Sequence, residues 1–180
     1  MRVRSLSTLA VLLALGFPAM SAPVPREAPT LTVTDLTGQQ QELSRFKGDV
    51  VVIEFLLMRC AGCLRMAQTI NKLHGEMASR GFQPVGVVFD NGVSGPAIRD
   101  LAQLLKLTYP VGYTTSDDVD RYLARTVTER FQVPQLVVID RAGMIRAQSR
   151  PSGETSLTDE SYLRNLVGAL LDERTPPSSK

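Results

Sequence analysis

At 180 residues, 43% of them hydrophobic, the chain is long enough for one domain with a sizeable core. Its 20 Lys and Arg nearly balance its 18 Asp and Glu, which argues against a nucleic-acid surface and an acidic disordered tail. One histidine and two cysteines are too few for most structural zinc sites.

Residues 1–21 read as a secretory signal. Arg2 and Arg4 form a basic start, Leu9 to Phe17 an apolar stretch, and Ala19 and Ser21 place small residues for cleavage after Ser21. That stretch is far short of the ~20 residues a spanning helix needs. The alternative is an uncleaved membrane anchor. Loss of Arg2 and Arg4 with the leader would leave 18 basic residues against 18 acidic ones. The expected location is therefore periplasmic or otherwise extracytoplasmic, where a disulfide can persist. Pro23, Pro25 and Pro29 make residues 22–30 an extended linker, ahead of one domain over 31–173 and a frayed tail over 174–180.

Within that domain, Leu31 to Leu36 alternates like a strand, Thr37-Gly38 turns, and Gln39 to Leu43 returns as a hairpin partner. Val50 to Leu57 is almost continuously apolar and β-branched, the pattern of a strand buried on both faces. From Cys60 the period becomes helical, with Cys63, Ala67, Ile70, Leu73 and Met77 on one face and Gly81 as the stop. Phe82 to Asp90 is a second buried strand, parallel to the first if the helix crosses between them. Ser94 is placed to cap a helix bearing Ile98, Leu101, Leu104 and Leu105. A short strand over Tyr109 to Tyr113 follows, then a helix capped by Ser116. Gln135 to Asp140 and Met144 to Gln148 form a hairpin, and Thr158 is the expected cap of a last helix carrying Leu163, Val167 and Leu170.

The chemistry gathers at Met58-Arg59-Cys60-Ala61-Gly62-Cys63, which holds both cysteines. Two thiols three positions apart in a helix's first turn can close a small disulfide ring with little rearrangement. Free N–H groups and the positive end of the dipole at a helix N-terminus stabilise a thiolate on the first, and Arg59 beside it acts in the same direction. A static bridge or half of a metal site would show the same spacing. Metal needs further ligands, and His74 lies roughly three turns along the helix from Cys63. Glu54 stands alone in an apolar strand. Burial would raise its pKa and suit it to proton transfer, whereas an edge position would let it pair with a Lys or Arg. Met58 could serve either an apolar docking surface beside Cys60 or the core.

The order strand, Cys-x-x-Cys, helix, strand, insert, Val-Pro, strand, hairpin and helix resembles the thioredoxin fold. In detail it is similar to the exported TlpA/ResA-like group, within the redoxin (AhpC/TSA) superfamily, from about Leu31 to Leu171. Three pieces carry the resemblance: Phe46-Lys47-Gly48-Asp49-Val50-Val51-Val52-Ile53 leading to Cys60, Val133-Pro134 ahead of a strand, and the hairpin Ile139-Asp140-Arg141-Ala142-Gly143-Met144-Ile145. The resemblance implies an α/β three-layer sandwich: a central mixed sheet with helices on both faces, an N-terminal hairpin and a helix–strand insert over Ser94–Thr128. It implies a thiol–disulfide oxidoreductase that needs no cofactor or metal and acts on cysteine-containing exported proteins with a redox partner. Cys60 would be the nucleophile and Cys63 the more buried resolving thiol. Glu54 would sit near Cys63 as a proton relay. Pro134 would be cis, with Val133 offering backbone to an extended substrate, and Arg59 and Met58 would border the same surface.

The chain also departs from the group. Arg59 replaces the usual Trp before the first cysteine, and Ala61-Gly62 lacks the usual Pro between the two. Two other functions compete. A peroxiredoxin-like peroxidase would show Pro-x-x-x-Thr-x-x-Cys, but Ile53 and Leu57 stand at those positions before Cys60. A non-catalytic binding module would use the same surface without needing Cys60.

Overall fold

The computed structural model of the chain describes residues 23–173 other than 127, 129 and 154. The expected leader, its cleavage site and the tail from residue 174 lie outside them. In chain order the elements are β1 (Arg26–Glu27), β2 (Thr32–Asp35), β3 (Gln40–Glu42), β4 (Val50–Leu56), α1 (Ala61–Met77), β5 (Phe82–Val88), α2 (Gly95–Leu104), β6 (Val111–Tyr113), α3 (Ser116–Leu123), β7 (Gln135–Ile139), β8 (Met144–Gln148) and α4 (Glu160–Asp172).

The strands form one mixed sheet in the order β1-β8-β7-β4-β5-β6-β2-β3. The long apolar strand β4 takes its centre, buried at every residue. It runs parallel to β5, through the crossover helix α1, and antiparallel to β7. Because side chains alternate along a strand, β4 feeds two cores. Val50, Val52 and Leu56 point into the layer made by α1, Ile98 of α2 and the inner face of α4. Val51, Ile53 and Phe55 point into the opposite layer, with Val119, Tyr122 and Leu123 of α3, Val33 of β2 and Leu31 just before it. Helices thus cover both faces of the sheet, the three-layer arrangement expected from the pattern.

Several local expectations shift. Segment 22–30 contributes Arg26–Glu27 as an edge strand antiparallel to β8. α3 is capped by Thr115, whose hydroxyl accepts the Asp118 N–H, with Ser116 as its first residue. α4 is capped by Asp159, whose carboxylate accepts the Tyr162 N–H, while Thr158 ends a short 3-10 turn. In both places the neighbouring side chain reaches the free amide of the first turn better than the expected one. Leu104, one of the apolar residues that α2 bears, is 78% exposed, because the helix packs through Ile98. After α1 a 3-10 turn over Ala78–Arg80 closes at Gly81, whose φ of +90° a side chain would strain.

Candidate active site

The end of β4 carries the chain through Leu57, Met58 and Arg59 to Cys60 at the mouth of α1. Two hydrogen bonds shape that loop: the Cys60 N–H donates to the Leu57 carbonyl at 3.1 Å, and the Met58 N–H to Asp90 Oδ2 at 2.8 Å. Asp90 follows β5 and has no counterpart in the sequence-based site. Its position beside the loop exists only once β4 and β5 pair.

Cys60 is the N-cap of α1, in extended backbone, and its Sγ accepts the Cys63 N–H at 3.2 Å. A cysteine sulfur therefore fills the place that Ser, Thr, Asn or Asp oxygen takes at most helix starts. Both cysteines are free thiols: Cys60 is half-buried, and Cys63 faces the core, one helical turn on. Burial pushes the Cys63 thiol well above the ordinary range. Its interaction with Cys60 and the negative charge of Glu54 act in the same direction, and a hydrogen bond with the Leu57 backbone opposes them.

Glu54 lies in the central strand, 0% exposed, on the face covered by α1. Neither carboxylate oxygen has a hydrogen-bond partner, and among the described residues no cation pairs with it. This is no strand-edge ion pair. Desolvation raises its pKa well above the usual carboxylate value, and the charge of the Cys60 sulfur adds to the effect. Across the register stands Gly86 of β5, where an added Cβ would meet Val111 at 3.3 Å and the Tyr109 ring at 3.6 Å. Tyr109 packs there, its hydroxyl donating to the Ala67 carbonyl at 3.3 Å, and the Glu54 carboxylate adds to the burial that raises its pKa. Read in sequence only as the start of a short strand, Tyr109 borders the buried acid.

The third wall is the stretch before β7. The Val133–Pro134 peptide is cis, and the Val133 carbonyl lies 3.9 Å from Cys60 Sγ. Pro134 Cδ and Cys60 Sγ each lie 3.8 Å from where a Cβ on Gly62 would stand, so Gly62 keeps the space between sulfur and proline narrow but open. Gln135 anchors this stretch. Fully buried, its amide Nε2 donates to the carbonyls of Gln132 at 2.5 Å and Arg150 at 3.0 Å. The Gln132 N–H completes the clasp by donating to the Pro151 carbonyl at 2.9 Å. Gln135 reads in sequence only as a strand's first residue, and its role depends on a segment 15 positions away. Met58 is half-buried against the core beside Cys60, while Arg59 is exposed.

The site therefore brings Cys60, Cys63, Glu54, Val133, Pro134, Arg59 and Met58 to one end of the sheet. His74 stands elsewhere, its Nδ1 2.8 Å from the Thr108 hydroxyl. Among the described residues no three His, Cys, Asp or Glu side chains gather as metal ligands would.

Residues 24–148 match the AhpC/TSA family, so the chain belongs to that family. Two curated relatives, each a thiol-disulfide oxidoreductase ResA, come from Bacillus thuringiensis subsp. konkukian and Bacillus cereus. Each is 24% identical over 79% of this chain and 78% of its own. Among solved structures, a thiol:disulfide interchange protein from Bacteroides sp. superposes with a TM-score of 0.66, at 22% identity over 88% of this chain and 97% of its own. The thioredoxin domain of a thiol-disulfide oxidoreductase from Bacteroides vulgatus gives 0.65, at 22% identity over 82% and 99%. The fold is thus thioredoxin-like, and in fold and family the chain stands among thiol–disulfide oxidoreductases.

Proposed function

We propose that the protein is an exported thiol–disulfide oxidoreductase that exchanges disulfides with cysteine-containing client proteins through Cys60 and Cys63. The observation that carries this reading is the Cys60 sulfur at the helix cap, 3.2 Å from the Cys63 N–H, with the second thiol one turn behind it. In the reducing direction the Cys60 sulfur attacks a client disulfide. A Cys60–client S–S bond forms, the client's own S–S bond breaks, and the departing client sulfur takes a proton. Cys63 then gives up its proton and attacks the Cys60 sulfur, closing the Cys60–Cys63 bond and releasing the second client thiol. Two electrons and two protons pass from the enzyme dithiol to the client. The same steps in reverse deliver a disulfide.

Each neighbour has a part. Cys63 holds its proton tightly, so the second step needs a base, and the buried, unpaired Glu54 is the group available to take that proton. Val133 offers backbone beside Cys60 for an extended client chain, Pro134 walls the thiols, and Met58 lends an apolar border. A peroxidase would want a hydroxyl at position 57, where the chain has leucine. Among the described residues no helix is long and apolar enough to cross a membrane. Export rests on the pattern of residues 1–21.

Trapping tests the proposal. Cys63→Ser should accumulate a mixed disulfide with clients through Cys60, Cys60→Ser should form none, and the wild type should turn over. Client capture that survives Cys60→Ser, with no exchange by the wild type, would make the protein a binding module.

A further inference from the structure

The charge around the thiol is not that of the chain as a whole. Overall the formal charge is only +2, and most arginines are engaged: Arg80 with Asp172, Arg121 with Asp118, Arg125 with Asp120, and Arg164 with Glu76 and Glu160. Arg59 and Arg65 differ. Both are exposed, and among the described residues neither makes an ion pair or hydrogen bond. Arg59 directly precedes Cys60. Arg65 reaches back along α1, placing Nη2 4.0 Å from the point on Gly62 that is itself 3.8 Å from Cys60 Sγ and from Pro134 Cδ. Its guanidinium therefore lies no farther from the sulfur than those two distances laid end to end, close to the Debye length of about 8 Å at physiological salt.

Among the described residues, neither arginine has an acidic partner. The first turn of α1 holds no acidic residue. Glu54 is buried, and Asp90 is turned toward the Met58 N–H. The positive end of the α1 dipole points the same way.

We propose that Arg59 and Arg65 form a cationic rim that selects protein clients whose reactive cysteine is flanked by acidic residues. The proposal rests on the disulfide-exchange reading and names its substrate class. A client strand lying along Val133 brings the residues on either side of its cysteine past this rim. Side chains that are free of internal partners give up no existing ion pair to bind. Exposed pairs of this kind contribute modestly and are screened by salt, so the selection is a rate preference of about two- to tenfold.

The test uses disulfide-linked homodimers of three pentapeptides, each with a central cysteine flanked on both sides by Asp, Ser or Lys. The reduced protein is mixed with each, and released peptide thiol is followed at about 20 mM and about 500 mM NaCl. Rates are normalised to those with dithiothreitol, which removes the intrinsic reactivity of each peptide. The proposal predicts the order Asp, Ser, Lys at low salt, a narrowed spread at high salt, and loss of the Asp-over-Lys preference in the Arg59→Gln/Arg65→Gln variant. Equal normalised rates, or a preference unmoved by salt or by the variant, would overturn the rim and leave the oxidoreductase standing. No exchange with any peptide would remove the oxidoreductase reading, and the rim with it.

Discussion

Glu54 and Cys63 lie on the same face of the sheet, both at 0% exposure, and the carboxylate of one raises the thiol pKa of the other. An ionisable acid without a hydrogen-bond partner is a costly thing to keep in a core. Its cost is consistent with a part in chemistry, since a base that must deprotonate a buried thiol has to be buried beside it. Proton transfer from Cys63 to Glu54 is the step this arrangement serves.

Replacing Glu54 with Gln should therefore slow resolution of the Cys60 mixed disulfide by roughly 100-fold near neutral pH, the lower end of the range for a positioned base. Attack by Cys60 should change far less. In the wild type, the resolution rate should climb as pH rises through the elevated Glu54 pKa and the carboxylate becomes available. The variant should lack that limb. Rapid-quench trapping of the mixed disulfide across pH separates the two steps.

The same residue predicts a stability profile. A carboxyl whose folded pKa is raised binds its proton more tightly in the folded state. Between the ordinary value of 4.5 and the raised folded value, the folded state therefore carries more protons than the unfolded one. Stability should fall as pH rises across that window. Glu54→Gln should match the wild type in acid and exceed it above the window. Urea unfolding at a series of pH values measures both.

Gln135→Leu removes the amide that holds the part-buried Gln132 and Arg150 carbonyls, at a cost of about 1–3 kcal/mol. Because the clasp sets Val133 against Cys60, KM for a peptide client should rise by more than stability alone explains, with kcat less affected. Chemical denaturation and steady-state kinetics on the same preparation check this.

Asp90→Ala takes the acceptor from the Met58 N–H and should cost about 1 kcal/mol. It should also alter the rate at which iodoacetamide modifies Cys60, through the freed Leu57–Arg59 loop. Asp90→Asn keeps an acceptor and should restore the wild-type rate.

These residues also mark where sequence reading stops. The continuous apolar run of β4, the 3.6-residue period of α1 and the cysteine spacing are local patterns, and each specifies its element without help from distant residues. Glu54 was legible as a lone acid in an apolar strand. Its loss of every partner follows from β4 taking the centre of the sheet. Arg26–Glu27 carries no strand pattern, being two charged residues between prolines, and pairs only because β8 leaves an edge beside it. Gln135 and Asp90 do their work through segments 15 and 32 positions away, contacts that no short-range pattern encodes. The caps of α3 and α4 were misplaced by one residue, since Thr115-Ser116 and Thr158-Asp159 each offer two capping side chains in succession.

The central claim, that Cys60 and Cys63 form a reversible redox pair, is tested most directly by redox titration. The protein is equilibrated across defined dithiol buffers, free thiols are alkylated, and intact masses are read. The account predicts one two-electron transition in which both cysteines lose their label together, with the oxidised-to-reduced ratio changing tenfold per about 30 mV. Cysteines that stayed alkylatable at every potential, or titrated separately, would contradict it.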